Sequence, residues 1–251
     1  MNIKRIYLGL LLTIIGMVGI ASMLTMDISL PSEVLEILEV NFSPTQIKWI
    51  LLINPSILLI IAVLVGILLY QKVNLKVPVL EKWVGINFNQ VNYSDILNFG
   101  IIGGVITGVL IILVEQFFTF LTPSEFEELG QTLQPTIATR FLYGGFTEEI
   151  LLRFGLMTLL VWIISKITLV TNNFTFWAGI ILSAIFFAIA HFPIVFQSVQ
   201  SPSFILLSYV LIGNSLGGVV FGWLYWKKGL ESAFIAHIFA HVIIVVFEWI
   251  I

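Results

Sequence analysis

Apolar residues run through this chain in seven long stretches, with polar positions gathered in short segments between them. The stretches are approximately Ile6 to Met26, Trp49 to Tyr70, Ile96 to Phe120, Ile137 to Ile164, Phe174 to Phe192, Phe204 to Trp226 and Leu230 to Ile251. A bilayer core is about 30 Å thick and needs roughly 20 apolar residues at helical rise to cross it, so each stretch predicts a transmembrane helix. The first follows Lys4 and Arg5. Its uncharged run exceeds the roughly 7–15 residues of a signal-peptide core and no small-x-small cleavage site follows, so a retained span is expected. The segment LPSEVLEILEV, residues 30–40, reads either as a short amphipathic interfacial helix or as a solvated loop.

Composition agrees with this pattern: 59% of the 251 residues are hydrophobic and 10% are charged, against about 45–50% and about 25% in a soluble domain. The expected fold class is all-α, a polytopic helix bundle in the cell membrane. A net charge of −3 leaves no cationic surplus for phosphate backbones, which argues against nucleic acid as a partner. The absence of cysteine removes disulfides, thiolate ligands and cysteine nucleophiles. If the spans alternate, Lys4, Arg5, Lys72, Lys76, Lys82, Lys166, Lys227 and Lys228 fall on one side, which predicts a cytoplasmic N-terminus. No repeat or long linker divides the chain. One membrane domain, 1–251, is expected, with N-terminal spans over 1–136 and a functional core over 137–251.

Glycines recur every four residues at Gly100, Gly104 and Gly108, and as the pairs Gly213 with Gly217 and Gly218 with Gly222. Such spacing lets helix backbones approach closely; a substrate groove lined by these glycines is the alternative.

Ionisable groups inside a bilayer are costly, by at least ~2.5–3.5 kcal/mol at its centre, and each is a functional candidate. The set is Glu115, Glu148, Glu149, Arg153, His191, His237 and His241, with Glu231 near the start of the last stretch. In FTEEILLRFGL, a four-residue spacing puts Glu149 and Arg153 on one helical face, while Glu148 is expected about 100° around it. One carboxylate is then neutralised by the arginine and its neighbour is left free, so the two differ in proton affinity, as paired acid/base groups do. An ion pair that merely fixes helix register is the other reading. His191 in FFAIAHFP, with Phe187 one turn earlier, suits an interfacial polar group as well as a site residue. His237 and His241 stack on one face at the spacing by which HExxH helices hold zinc, or serve as a proton relay. Glu115 is explained by snorkelling and Asn214 by an interhelical hydrogen bond. Together, the glutamates and all three histidines suggest water activation without a covalent intermediate, that is, a hydrolase.

Three motifs follow one another on successive spans: EEILLR, Glu148 to Arg153, fits EExxxR; FAIAH, Phe187 to His191, fits FxxxH; and WKKGLESAFIAHIFAH carries His237 and, four residues on, His241. From Ile137 onward the chain resembles the CPBP or Abi family of intramembrane proteases, related to the type II CAAX prenyl endopeptidases. The resemblance implies that Glu148 with His191 activates water, that His237 with position 241 binds the oxyanion or helps hold a metal, and that Glu149 and Arg153 organise the site. It implies a divalent metal such as zinc on Glu148, His191, His237 and His241, or a metal-free mechanism. It also implies membrane-embedded or membrane-associated peptide substrates: prenylated proteins in eukaryotes; pheromones, bacteriocins or self-immunity partners in bacteria. His241 departs from the family, which has Asn or Asp there, although histidine still donates a hydrogen bond or ligates a metal. The competing functions are a non-enzymatic immunity or partner-binding membrane protein and a proton-coupled transporter, the latter without the internal symmetry such proteins carry.

Overall fold

The computed structural model describes residues 2–26, 32–86 and 90–250; Asp27's neighbourhood, Leu30, Pro31 and Ile251 lie outside them. Among the described residues, seven helices are long and apolar enough to span a bilayer: Ile3–Thr25, Pro44–Val73, Tyr93–Leu121, Thr139–Thr168, Asn173–Ser198, Phe204–Lys228 and Leu230–Ile250. They coincide with the seven stretches read from hydropathy, and the chain is a multi-pass integral membrane protein. Helices satisfy their backbone groups internally, which the hydrocarbon core demands. Five spans begin with a side chain accepting an otherwise unpaired N–H: Asn2, Ser43, Asn92, Asn172 and Ser203.

The fourth span is central and packs against the first, second, fifth, sixth and seventh, while the third lies across the sixth and seventh. The glycines explain how closely these backbones approach. A Cβ on Gly104 would lie 2.4 Å from the carbonyl oxygen of Ala236, and one on Gly108 would lie 2.8 Å from that of Ala240. A Cβ on Gly100 would lie 2.7 Å from the Ile235 side chain and 3.0 Å from the Ser232 carbonyl oxygen, so this row is a helix-packing seam against the seventh span. The sixth span divides its glycines between the two expected roles. Gly218 and Gly222 abut Ala184 and Ile180 of the fifth span, whereas Gly213 meets only Tyr209, at 3.8 Å.

Two short helices outside the spans matter for the site. Ser32–Glu39 is the amphipathic helix the sequence allowed. Pro123–Thr132 was not anticipated. Glu128 accepts from the backbone N–H of Gln200, and Glu125 accepts from the N–H and hydroxyl of Ser203, so this acidic helix is pinned over the loop between the fifth and sixth spans. At the opposite end of the bundle, Glu231 accepts the backbone N–H groups of Val79 and Leu80, both at 2.9 Å. It thereby caps the helix Pro78–Trp83. Glu81 nearby accepts from the Tyr70 hydroxyl at 2.9 Å. Gly229, with φ of +105°, makes the reversal between the last two spans, a backbone region that favours glycine.

Candidate active site

The fourth span is not an ordinary α-helix where the chemistry lies. It winds as a π-helix over Thr139–Glu148 and again over Ile150–Met157, and the Thr158 hydroxyl donates to the Arg153 carbonyl five residues back, at 3.1 Å. The spacing did not announce this winding; Glu148 lies off the Glu149–Arg153 pair as expected, and its Oε2 is 3.8 Å from the imidazole that Glu149 holds. π winding is rare and, where it occurs within a helix, is frequent at functional sites.

Glu149 and Arg153 pair as the spacing predicted, with Nε 3.2 Å from Oε2 and both side chains almost wholly buried. The guanidinium sits 5.0 Å from the Phe187 ring and 5.5 Å from the Phe221 ring. The other carboxylate oxygen of Glu149 lies 2.8 Å from His237 Nδ1. An ionised carboxylate only accepts, so Nδ1 carries the proton and the ring is fixed from behind. His237 Nε2 then faces Glu148, whose Oε2 is 3.8 Å away.

His241 stacks on His237, ring centroids 5.0 Å apart at 20°. Both imidazoles lie against Gly144: a Cβ there would be 3.0 Å from His241 Nε2 and 3.3 Å from His237 Nε2. His191 comes from the end of the helix Asn173–Ile189. Its Nδ1 is 2.8 Å from the Phe187 carbonyl oxygen, and because a carbonyl only accepts, Nε2 is the open nitrogen. Phe187 packs edge-on against it, centroids 4.7 Å apart.

Glu148, His191, His237 and His241 all line one cavity of about 910 Å3, and Tyr143 and Asn214 share its wall. The remaining surface is largely apolar, including Met23, Leu58, Ile61, Leu151, Leu156 and Leu159. Among the described residues Asn214 makes no interhelical hydrogen bond of the kind expected of it. Its amide donates instead to the Val210 carbonyl one turn back, at 2.9 Å, and it flanks Gly213 and Gly217 on the cavity wall. Gly144 and Tyr143 were missed in the sequence, where nothing marks one glycine or tyrosine of a membrane helix from another.

Among the described residues, no three His, Asp or Glu side chains are gathered closely enough to hold a metal ion.

Searches of curated proteins and of solved structures return no match. A family model does match, over residues 130–243, the stretch that contains every residue of this constellation. The resemblance drawn from the three motifs is borne out there: residues 130–243 match the type II CAAX prenyl endopeptidase Rce1-like family, of the CPBP class.

Proposed function

We propose that the protein is a CAAX-protease-like intramembrane endopeptidase that hydrolyses a membrane-embedded or membrane-associated peptide with a water activated by Glu148. The observation that carries this reading is the facing pair of Glu148 and His237 Nε2, 3.8 Å apart, on the wall of an apolar cavity. That separation is too long for a direct hydrogen bond. It suits a water at the apex of a triangle, within hydrogen-bond reach of both groups.

In this mechanism Glu148 takes a proton as the water oxygen attacks the scissile carbonyl carbon. Glu149, held by Arg153, is a positioning residue: it fixes the His237 ring and stabilises the imidazolium as Nε2 gains a proton. Nε2 takes its proton from the hydroxyl of the tetrahedral intermediate, and as the C–N bond breaks Glu148 and His237 deliver water's two protons to the leaving nitrogen, giving a carboxylate and an ammonium. His191, with Nδ1 tied to the Phe187 carbonyl, presents a second open nitrogen to the cavity and supports Glu148 in managing the water's proton. His241, stacked behind His237, stands where the family has Asn or Asp and lends a ring nitrogen to the oxyanion. The apolar lining supplies the environment in which a hydrophobic peptide segment sits and in which these charges act strongly.

The test is cleavage of candidate membrane peptides by the protein reconstituted in liposomes. Glu148→Gln is expected to lower the rate by about 10²–10⁴-fold and His191→Ala by about 10²-fold, the usual range for a lost acid/base group. Equal cleavage by the wild type and both variants would defeat the assignment. Persistence of a protective phenotype in a folded Glu148→Gln protein would favour a non-enzymatic immunity role instead.

A further inference from the structure

At the end of the bundle away from the catalytic constellation, another cavity, of about 360 Å3, opens where three spans terminate. Its wall takes Asp95 from the first turn of the third span, Phe176 from the first turn of the fifth, and Trp226, Lys227 and Lys228 from the last turn of the sixth. The third and fifth spans both pack on the sixth, so the cavity sits at the head of the seam where the three meet. Lys76, from the segment after the second span, completes its basic side.

Three lysines, Lys76, Lys227 and Lys228, share that wall with one carboxylate, Asp95, among the described residues. Lys228 Nζ lies 2.7 Å from Asp95 Oδ2, which accounts for the carboxylate. Lys76 and Lys227, both exposed, are left without an acidic group on the wall to answer them. Lys227 Nζ lies instead 3.4 Å from the centre of the Trp226 ring, and that ring stacks on Phe176, centroids 4.6 Å apart at 13°. A ring face positions an ammonium without neutralising it. Glu231 stands behind Gly229, with its Oε1 already taken by the N–H groups of Val79 and Leu80. Asn92 accepts the Asp95 N–H through Oδ1, so its NH2 is the end that can donate to a ligand.

We propose that this cavity binds an anionic phospholipid, whose phosphodiester rests on Lys76 and Lys227 and whose acyl chains follow the lipid-facing side of the third and fifth spans. The charge calls for an anion, and the setting says which kind. Tyr93 and Trp177, exposed beside the cavity, form an aromatic rim; Trp177 meets Trp226 edge-on at 6.2 Å, and Lys82 Nζ lies 5.1 Å above the Tyr93 ring. Aromatic side chains with lysines mark headgroup depth, and basic pockets between spans take anionic headgroups. Deeper along the same two spans Ile102 and Ile181 are exposed, an apolar surface for the chains. The site stands apart from Glu148 and His237 and does not depend on the endopeptidase reading.

The experiment titrates the full-length chain, purified in detergent and stripped of lipid, with dioleoylphosphatidylglycerol or dioleoylphosphatidylcholine. Retained lipid is counted by native mass spectrometry and the melting temperature is followed alongside. Phosphatidylglycerol is expected to stay bound and to raise the melting temperature, the choline lipid to do neither, and added salt to shrink the difference. Lys76→Gln and Lys227→Gln should each weaken binding about fivefold, and together about 25-fold, the change for a lysine withdrawn from an anionic headgroup. Lys166→Gln, exposed at the same end of the bundle but outside the cavity, should leave binding unchanged. Asp95→Asn should tighten it about fivefold by releasing Lys228, and it decides the matter if the lysine variants do not fold. Equal retention of the two lipids, or a loss in Lys166→Gln as large as in Lys76→Gln, overturns the proposal. Inorganic phosphate and glycerol 3-phosphate serve as the soluble arms: stabilisation by either that matches phosphatidylglycerol would overturn the lipid in favour of a free phosphate.

Discussion

Arg153 is 1% exposed, and among the described residues neither of its terminal nitrogens has a hydrogen-bond acceptor. What holds it is the Glu149 carboxylate at Nε and the faces of Phe187 and Phe221, both within cation–π distance. Those same rings reach the site: Phe187 packs on His191, and Phe221 stacks on His237 with centroids 4.8 Å apart. The arginine thus acts on two histidines through aromatic rings and on one of them through Glu149 as well. Removing it strands a buried carboxylate, and breaking a buried pair from one side costs about 3–5 kcal/mol. Arg153→Met should therefore lower the melting temperature in detergent sharply, and the double variant Glu149→Gln/Arg153→Met should recover part of that loss while staying inactive. A double variant no more stable than the single one would show that the ion pair is not what the arginine contributes. Arg153→Lys should fail almost as badly, because an ammonium cannot cover two ring faces and reach the carboxylate together.

At the level of helices, close approach of the third and seventh spans sets the position of His237. The Ala236 carbonyl that Gly104 touches belongs to the residue immediately before it. Gly104→Ala would push backbone against backbone, and if His237 acts as proposed, a displacement near 1 Å there costs about 10²-fold in rate. That variant should lose both thermal stability and cleavage, whereas Gly213→Ala, which meets only Tyr209 at 3.8 Å, should melt within about 0.5 kcal/mol of wild type and alter peptide preference instead. Equal melting of the two would separate the glycine seam from the site. This contrast also marks where sequence reasoning stopped. Hydropathy gave all seven spans because bilayer thickness imposes their length, and the i, i+4 spacing gave the Glu149–Arg153 pair because neighbours at that spacing stay close even on a widened turn. The π winding itself was not legible, since no residue in FTEEILLRFGL announces it. Nor could spacing tell Gly104 from Gly213: each is a glycine four residues from another, and only the partner helix decides which one meets backbone and which one meets the cavity.

Across the whole molecule the polar residues separate into two ends. At one, the Lys4 ammonium donates to the Gly85 carbonyl, Arg5 bonds Gln71, and Lys228 pairs with Asp95 at 2.7 Å. At the other lie the acidic helix Pro123–Thr132, the Arg140–Glu248 pair and, a short way in along the same two spans, the facing Glu148 and His237. Clusters of Lys and Arg are retained on the cytoplasmic side, so the basic end is proposed to face the cytoplasm and the cavity to approach the opposite surface. The chain has no native cysteine, which makes single introduced thiols unambiguous reporters. Gly130→Cys stands on the acidic helix with open space around its Cβ, and Lys72→Cys is exposed at the basic end. In intact cells a membrane-impermeant maleimide should label Gly130→Cys alone, and Lys72→Cys should react only after permeabilisation. The reverse pattern would turn the bundle over without altering any contact inside it, and peptide would then have to reach Glu148 from the cytoplasmic side. Labelling therefore fixes which pool of peptides the carboxylate proposed to act at Glu148 can meet.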